Sequence, residues 1–404
     1  MNKLIQNLFI LLFPFYPLWA WVCYFFTKKP IDFFVDILLL PIAFYLVVFV
    51  NKKLPKYLLF FIIFTIYHLC SVFINNTFPI GTNKVYSLLS DPNILACLFF
   101  IIIEYSVFKD KFISRMNKHI LLIVIISLVV SLIQIKNPAF FFNVSANVEL
   151  TYIGENRNFS IYSWSSLNSA GISFPILISI LVSVYDTRKS IFPLVILSGI
   201  VVSFLTRSRY VMISAIVVLS QLFFNKKRSL IKRISFFFLI VSGIFLIGFV
   251  AEQSGFNINE VINNRILEKD SDMASAKARI TSYEAFLIKF PEHPLLGVGP
   301  KTRPDVIELL NGEAPLIHIG YLSYLYFYGV VGCLILFLAI FFLLRDAWIV
   351  GKRDNFWGSF YGLVSFCLAN LTFVYFNFSE MGIVLSVIYL RYYNYKSSLP
   401  LVET

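Results

Sequence analysis

Apolar runs, most of them near the ~20 residues a helix needs to cross a bilayer, follow one another along most of this chain, separated by short connectors rich in Lys and Arg. The pattern stops once. From Glu252 to Ile317 the sequence is polar, and hydrophobic runs resume at His318. The runs fall at 4–26, 32–51, 57–75, 93–108, 119–135, 167–185, 191–206, 210–224, 234–251, 318–344, 356–376 and 381–393. They predict an all-α, polytopic membrane protein of about twelve transmembrane helices. Residues 1–251 hold nine of them, 252–317 form one large external loop, and 318–404 hold three more and a tail. The first run carries a single preceding Lys3, is too long for a signal-peptide core and lacks a small-residue cleavage site, so it reads as a retained span.

Inside the polar interval, Ala276, Ile280, Tyr283, Leu287 and Phe290 recur at three- and four-residue spacing, which predicts an amphipathic helix over 274–290. Pro291 and Pro294 end it. Gly297 and Gly299 then allow a tight backbone path, and Pro300 stiffens its exit. No period of 20 to 50 residues repeats, so a solenoid is excluded.

The composition, 58% hydrophobic with only 14% charged residues over 404 positions, excludes a water-soluble globule. The net charge of +12 could point to nucleic acid, but its distribution does not. With the N-terminus inside, twenty of the 34 Lys and Arg lie in inner segments, seven in short outer segments and seven in the long loop. This bias is the positive-inside pattern, and it puts the loop outside the cytoplasm. The basic character is a topology signal, and no nucleic-acid partner is expected. The five cysteines all fall in apolar runs without CxxC spacing, so they read as packing residues.

Few residues offer chemistry. Arg207 and Arg209 sit between two apolar runs with hardly any loop to hold them, at the outer membrane boundary on this topology. A guanidinium fork binds phosphate oxygens bidentately; the alternative is that both snorkel to lipid headgroups. Arg279 lies on the loop helix one residue from the apolar stripe, and a solvated or salt-bridged role competes with ligand binding. His318 opens a span, and an imidazole with a pKa near 6.5 accepts a hydroxyl proton at neutral pH; a structural role is the competing reading. Tyr321, Tyr324, Tyr326 and Tyr328 read most simply as an interfacial aromatic belt, although aromatic faces also suit sugar rings. Tyr283 offers the same kind of face. Asp32, Asp36, His68, Glu104 and Glu380 lie in or near spans and are expected at span ends or in structural pairs, with Glu104 on a transport path as the alternative. Asp305 and Glu308 share the loop without a metal-ligand cluster, so no metal or other cofactor is required.

Taken in order, three elements resemble the bacterial O-antigen polymerase and O-antigen ligase superfamily. Thr206-Arg207-Ser208-Arg209 is similar to its Thr/Ser-x-Ser-Arg element, with Tyr210 where a small residue is common. ARITSYEAFLIKFPEHPLLGVGP is similar to its loop signature. His318-Ile319-Gly320-Tyr321-Leu322, followed by Gly329 and Gly332, is similar to its His-x-x-x-Leu and Gly-x-x-Gly element, with Ile319 in place of a polar residue. More weakly, Asn168 in SWSSLNSAGIS matches a small-residue-flanked Asn.

The resemblance implies metal-independent glycosyl transfer from an undecaprenyl-diphosphate-linked oligosaccharide on the periplasmic face of the bacterial inner membrane. By carry-over, Arg209 and Arg279 bind the donor diphosphate, Arg207 assists, and His318 is the general base on the acceptor hydroxyl. Asn168, Tyr283 and Tyr321 are glycan-contact candidates. Besides the lipid-linked substrate and membrane lipids, a chain-length regulator and a flippase are the partners implied. A polymerase, whose acceptor is another lipid-linked repeat unit, is favoured by the divergent, Phe- and Ile-rich character of the chain. A ligase acting on the lipid A core shares every motif. A flippase or other transporter would show internal repeats and broken midplane helices, which this sequence does not.

Overall fold

The computed structural model describes residues 2–27, 31–50, 52–77, 84, 88, 91–137, 140, 160–164, 167–185, 191–206, 209–224, 274–301, 304–310, 317, 319–371 and 376–398. Among them are fourteen α-helices and no strand. In chain order these are α1 (Asn2–Leu12), α2 (Tyr16–Thr27), α3 (Ile31–Phe49), α4 (Lys56–Ile74), α5 (Pro92–Tyr105), α6 (Asp110–Lys136), α7 (Leu167–Val184) and α8 (Phe192–Leu205). There follow α9 (Arg209–Phe224), α10 (Ala274–Lys289), α11 (Pro304–Leu309), α12 (Gly320–Asp354), α13 (Gly358–Ala369) and α14 (Met381–Ser398).

Eleven of the twelve expected runs carry helix, and the twelfth, 234–251, lies outside the described residues. The number of crossings is a separate matter. Only α4, α6 and α12 are long and apolar enough to span a membrane by themselves, so the expected count of about twelve is not confirmed. The first run is in fact two helices, α1 and α2, bent by 82° across Phe13–Phe15. Pro14 and Pro17 explain the break, since each lacks the N–H that would continue the ladder and its ring crowds the preceding turn.

The core is built on α7 and α14. Residues 171–182 and 381–390 are buried on every face, the mark of helices apolar all round that are enclosed by others. Small residues let the backbones meet. A Cβ on Gly382 would stand 2.8 Å from the Ser173 Cα, and one on Gly358 2.8 Å from the Ile180 Cα. Serines satisfy themselves on neighbouring backbone: Ser179 donates to the Gly358 carbonyl at 2.8 Å, and Ser359 to that of Ser386 at 3.1 Å.

Contacts along the helices give the bundle two distinct ends. Tyr57 at the start of α4 donates to Glu104 at the end of α5 (2.7 Å), while His68, about 16 Å further along α4 at 1.5 Å per residue, meets Asp91 at the start of α5. Phe60 stacks on Phe342 and Tyr67 reaches the Tyr328 carbonyl, so α4 also runs antiparallel to α12. At one end Lys52, Lys56, Arg345 and Arg391 gather around Glu104, Tyr105 and Phe342. Glu104, 8% exposed, is thus a paired span-end carboxylate, as expected. At the opposite end lie Asp91, Tyr328 and Glu380.

Candidate functional site

The polar loop is built into that opposite end. The helix expected at 274–290 is α10, followed by a 3-10 turn at Phe290–Glu292 where the prolines begin. Gly297 and Gly299 then take φ of 71° and 89°, open to glycine with little strain. The segment runs along a break in α12, where Gly329 has φ 62° and ψ −171°. Four backbone hydrogen bonds fasten the two: the N–H groups of Val298 and Gly299 donate to the Tyr326 and Phe327 carbonyls (3.1 and 2.9 Å), and those of Val330 and Val331 to the Pro294 and Leu295 carbonyls (2.8 and 3.1 Å). The break in the helical ladder is therefore satisfied by the loop, as a buried backbone requires. Any side chain on Gly297 would strike the Phe327 carbonyl, and one on Gly329 the Leu295 carbonyl. Tyr67 closes the lock by donating to the Leu296 and Tyr328 carbonyls (2.8 and 2.9 Å).

Of the residues singled out by sequence, Asn168, Arg209, Arg279, Tyr283 and Tyr321 are carried by elements at this end. Arg279 is half-buried on α10 at the margin between its inward and outward faces. Arg209 is the first residue of α9, and Asn168 the second of α7; their side chains lie outside the described set. Gln221, about 18 Å along α9 from Arg209 at 1.5 Å per residue, bonds Ser179 and Ser183 towards the basic end, so α9 and α7 both begin at the loop end. Arg207 and His318 lie outside the described residues; Ile317 and Ile319, which flank the histidine, accept from Ser323 in the first turn of α12. Tyr283 is exposed. Tyr321 is half-buried, donates to the Cys367 carbonyl at 2.8 Å and packs edge-on against Phe376.

One expectation is corrected, and the structure supplies one orientation that the sequence left open. Tyr324, Tyr326 and Tyr328 form no belt facing lipid: each is buried, and Tyr324 and Tyr328 pack inward against Phe64 of α4, Tyr324 also against Phe376. A tyrosine turned inward at membrane depth needs a partner for its hydroxyl, and Tyr324 finds the Phe376 carbonyl at 3.3 Å. The apolar stripe of α10 also faces the other way from a soluble helix: Ile280, Tyr283 and Leu287 are exposed, whereas Thr281, Ser282, Ala285 and Phe286 are buried.

One polar constellation was missed as a unit. His68, 2% exposed, places Nδ1 2.8 Å from the Tyr328 hydroxyl and Nε2 2.8 Å from Asp91 Oδ2. Asp91 also caps α5, accepting from the N–H groups of Asn93 and Ile94. Burial pushes its carboxyl up, but the His68 hydrogen bond and charge and the two backbone donors outweigh this and hold it below the usual range. The signal was faint, because His68 and Tyr328 are 260 positions apart. Glu380 is paired too, accepting from Ser173 (3.1 Å) and Asn377 (3.0 Å). In the loop, Lys289 bridges Asp305 at 2.7 Å and Glu292 at 2.9 Å, tying α10 to α11. The hydrogen bonds that Lys289 donates to Asp305 and then to Glu292 raise its ammonium, and the bond to Asp305 lowers that carboxyl in turn. Among the described residues no group of three or more His, Cys, Asp or Glu side chains is placed to share a metal ion.

Helices with lipid-compatible outer faces, basic groups at one end and a polar loop locked into the other define a multi-pass membrane protein with a water-side segment integral to its bundle. Residues 192–338 match the family described as O-antigen ligase, which supports a place for the chain in the O-antigen ligase/polymerase superfamily. The matched stretch runs from α8 to the middle of α12 and contains Arg207, Arg209, Arg279 and His318. The family implies a glycosyltransferase-like enzyme of the O-antigen pathway. No curated protein matches the chain.

Proposed function

We propose that the chain is a repeat-unit polymerase of surface polysaccharide, which joins an oligosaccharide carried on undecaprenyl diphosphate to another lipid-linked repeat unit. The observation that carries this reading is the family match, which spans all three arginines and the histidine in one stretch. The locking of the loop onto α12 supports it, because Arg279 and His318 then belong to segments fastened to each other.

In this reading the acceptor hydroxyl oxygen attacks the anomeric carbon of the donor while its proton passes to the His318 imidazole. The bond from that carbon to the diphosphate oxygen breaks, and the electron pair leaves on the phosphate. Arg209 and Arg279, with Arg207 assisting, hold the diphosphate and stabilise the charge it gains. Fixed guanidiniums do this well because they need no reorganisation as the charge develops. Asn168, Tyr283 and Tyr321 are assigned to the glycan. The site faces the periplasm from the inner membrane, consistent with the charge bias of the connectors.

The family description favours a second reading, a ligase that transfers finished glycan to the lipid A core. A deletion strain separates the two by its surface glycan. A single repeat on the core marks a lost polymerase; bare core with accumulated lipid-linked polymer marks a lost ligase. In the complemented strain, Arg209→Ala, Arg279→Ala and His318→Ala are each expected to abolish long glycan at unchanged membrane levels. Unchanged polymer from all three overturns the site.

A further inference from the structure

The inward face of α10 carries Thr281, Ser282, Ala285 and Phe286, and its outward face is greasy. Ile280, Tyr283, Leu287 and Ile288 are 58, 51, 52 and 57% exposed, and at about 100° per residue they cover an arc of roughly 140°. A stripe that wide facing water forfeits the main driving force for folding. The stripe also continues beyond the helix. Leu295 and Leu296 are exposed in turn, and the backbone around them is hydrogen-bonded to Val330 and Val331 of α12. Those two valines, with Leu334 and Phe341, form the exposed side of a 35-residue helix long and apolar enough to cross a membrane, so that side meets lipid. Between Ile288 and Leu295 the chain carries Lys289, Glu292 and His293 as polar residues, and Lys289 and Glu292 are turned onto each other. The outward face of α10 is thus joined to a lipid-facing surface.

We infer that α10 is an interfacial helix seated on the leaflet at its own end of the bundle, with Ile280, Tyr283, Leu287 and Ile288 set into the boundary between headgroups and acyl chains. Glu284, exposed in the middle of the stripe, fixes the depth, because a carboxylate stays hydrated at headgroup level. Arg279 lies about 40° around the helix from Tyr283, at the margin of the seat. Its guanidinium is therefore held at the height of lipid phosphates. Only this last step rests on the proposed function, in which that height is where a lipid-linked diphosphate presents itself.

The test uses the unmodified full-length protein in vesicles of phosphatidylethanolamine and phosphatidylglycerol that include a phosphatidylethanolamine with a diazirine in its acyl chain. After irradiation, adducts are expected on residues 280–288 at yields comparable to Leu334 and Phe341, and several-fold above those on 304–310. Absence of adducts on 280–288 overturns the proposal, whether the face is then open to water or covered by residues 251–273 or a second protein. A Leu287→Ser, Ile288→Ser variant tests the consequence separately. Several-fold less adduct together with several-fold less glycan at normal membrane levels supports both parts. Lost adduct with undiminished glycan leaves the seat standing and removes its link to Arg279.

Discussion

Gly329 sits with φ 62° inside a 35-residue helix, and the space beside its Cα is filled by the Leu295 carbonyl. Gly329→Ala meets both obstacles: left-handed backbone costs an L-residue about 1–2 kcal/mol, and the clash with main chain adds to it. We expect a loss of at least ~2 kcal/mol, read as a lowered unfolding midpoint in detergent, whereas Gly199→Ala, whose Cβ would meet only the Ile178 side chain at 3.2 Å, is milder. His68→Ala removes a buried partner from both Tyr328 and Asp91. Leaving those groups without it is expected to cost about 1–3 kcal/mol, measured the same way.

The join between α10 and α11 has a pH signature. Asp305 is lowered by its bond to Lys289, so its contribution is complete above the ordinary carboxylate range and disappears as pH falls through its own, lower value. Lys289 is raised, so its contribution is complete below the ordinary ammonium range and is lost only as pH rises past its higher folded value. Amide exchange over residues 289–305, corrected for intrinsic rates, should show the join intact from about pH 5 to pH 9 and loosened below pH ~3. Asp305→Asn should loosen it throughout. At this scale much was legible in sequence. Eleven apolar runs carry twelve helices, Pro14 and Pro17 foreshadow the break between α1 and α2, and the three- and four-residue spacing gave α10. Its orientation was not legible, because periodicity marks an apolar face without saying whether protein or lipid covers it. Nor was the lock between Gly297 and Gly329, or the bridge from His68 to Tyr328, since both join residues distant in sequence whose pairing depends on how α4 and α12 pack. For the candidate site, the motif order was legible, while the arrangement of the side chains around a substrate depends on tertiary contacts that no local pattern encodes.

Across the whole molecule, the basic connectors and the loop occupy opposite ends of the bundle. Lys52 and Arg391 gather around Glu104 at one, with Arg345 over Phe342 beside them, and the loop is fastened at the other. Reporter fusions are therefore expected to place residues 226–233 in the cytoplasm and 274–301 across the membrane from them; both on one side would contradict the arrangement. The lock at Gly329 has a practical corollary for engineering. Exchanging the loop between relatives should succeed only when the donor fragment extends through position 331, because the first turns of the following span are half of the clasp. A graft cut at His318 would join two mismatched halves and leave main-chain amides stranded in a greasy setting.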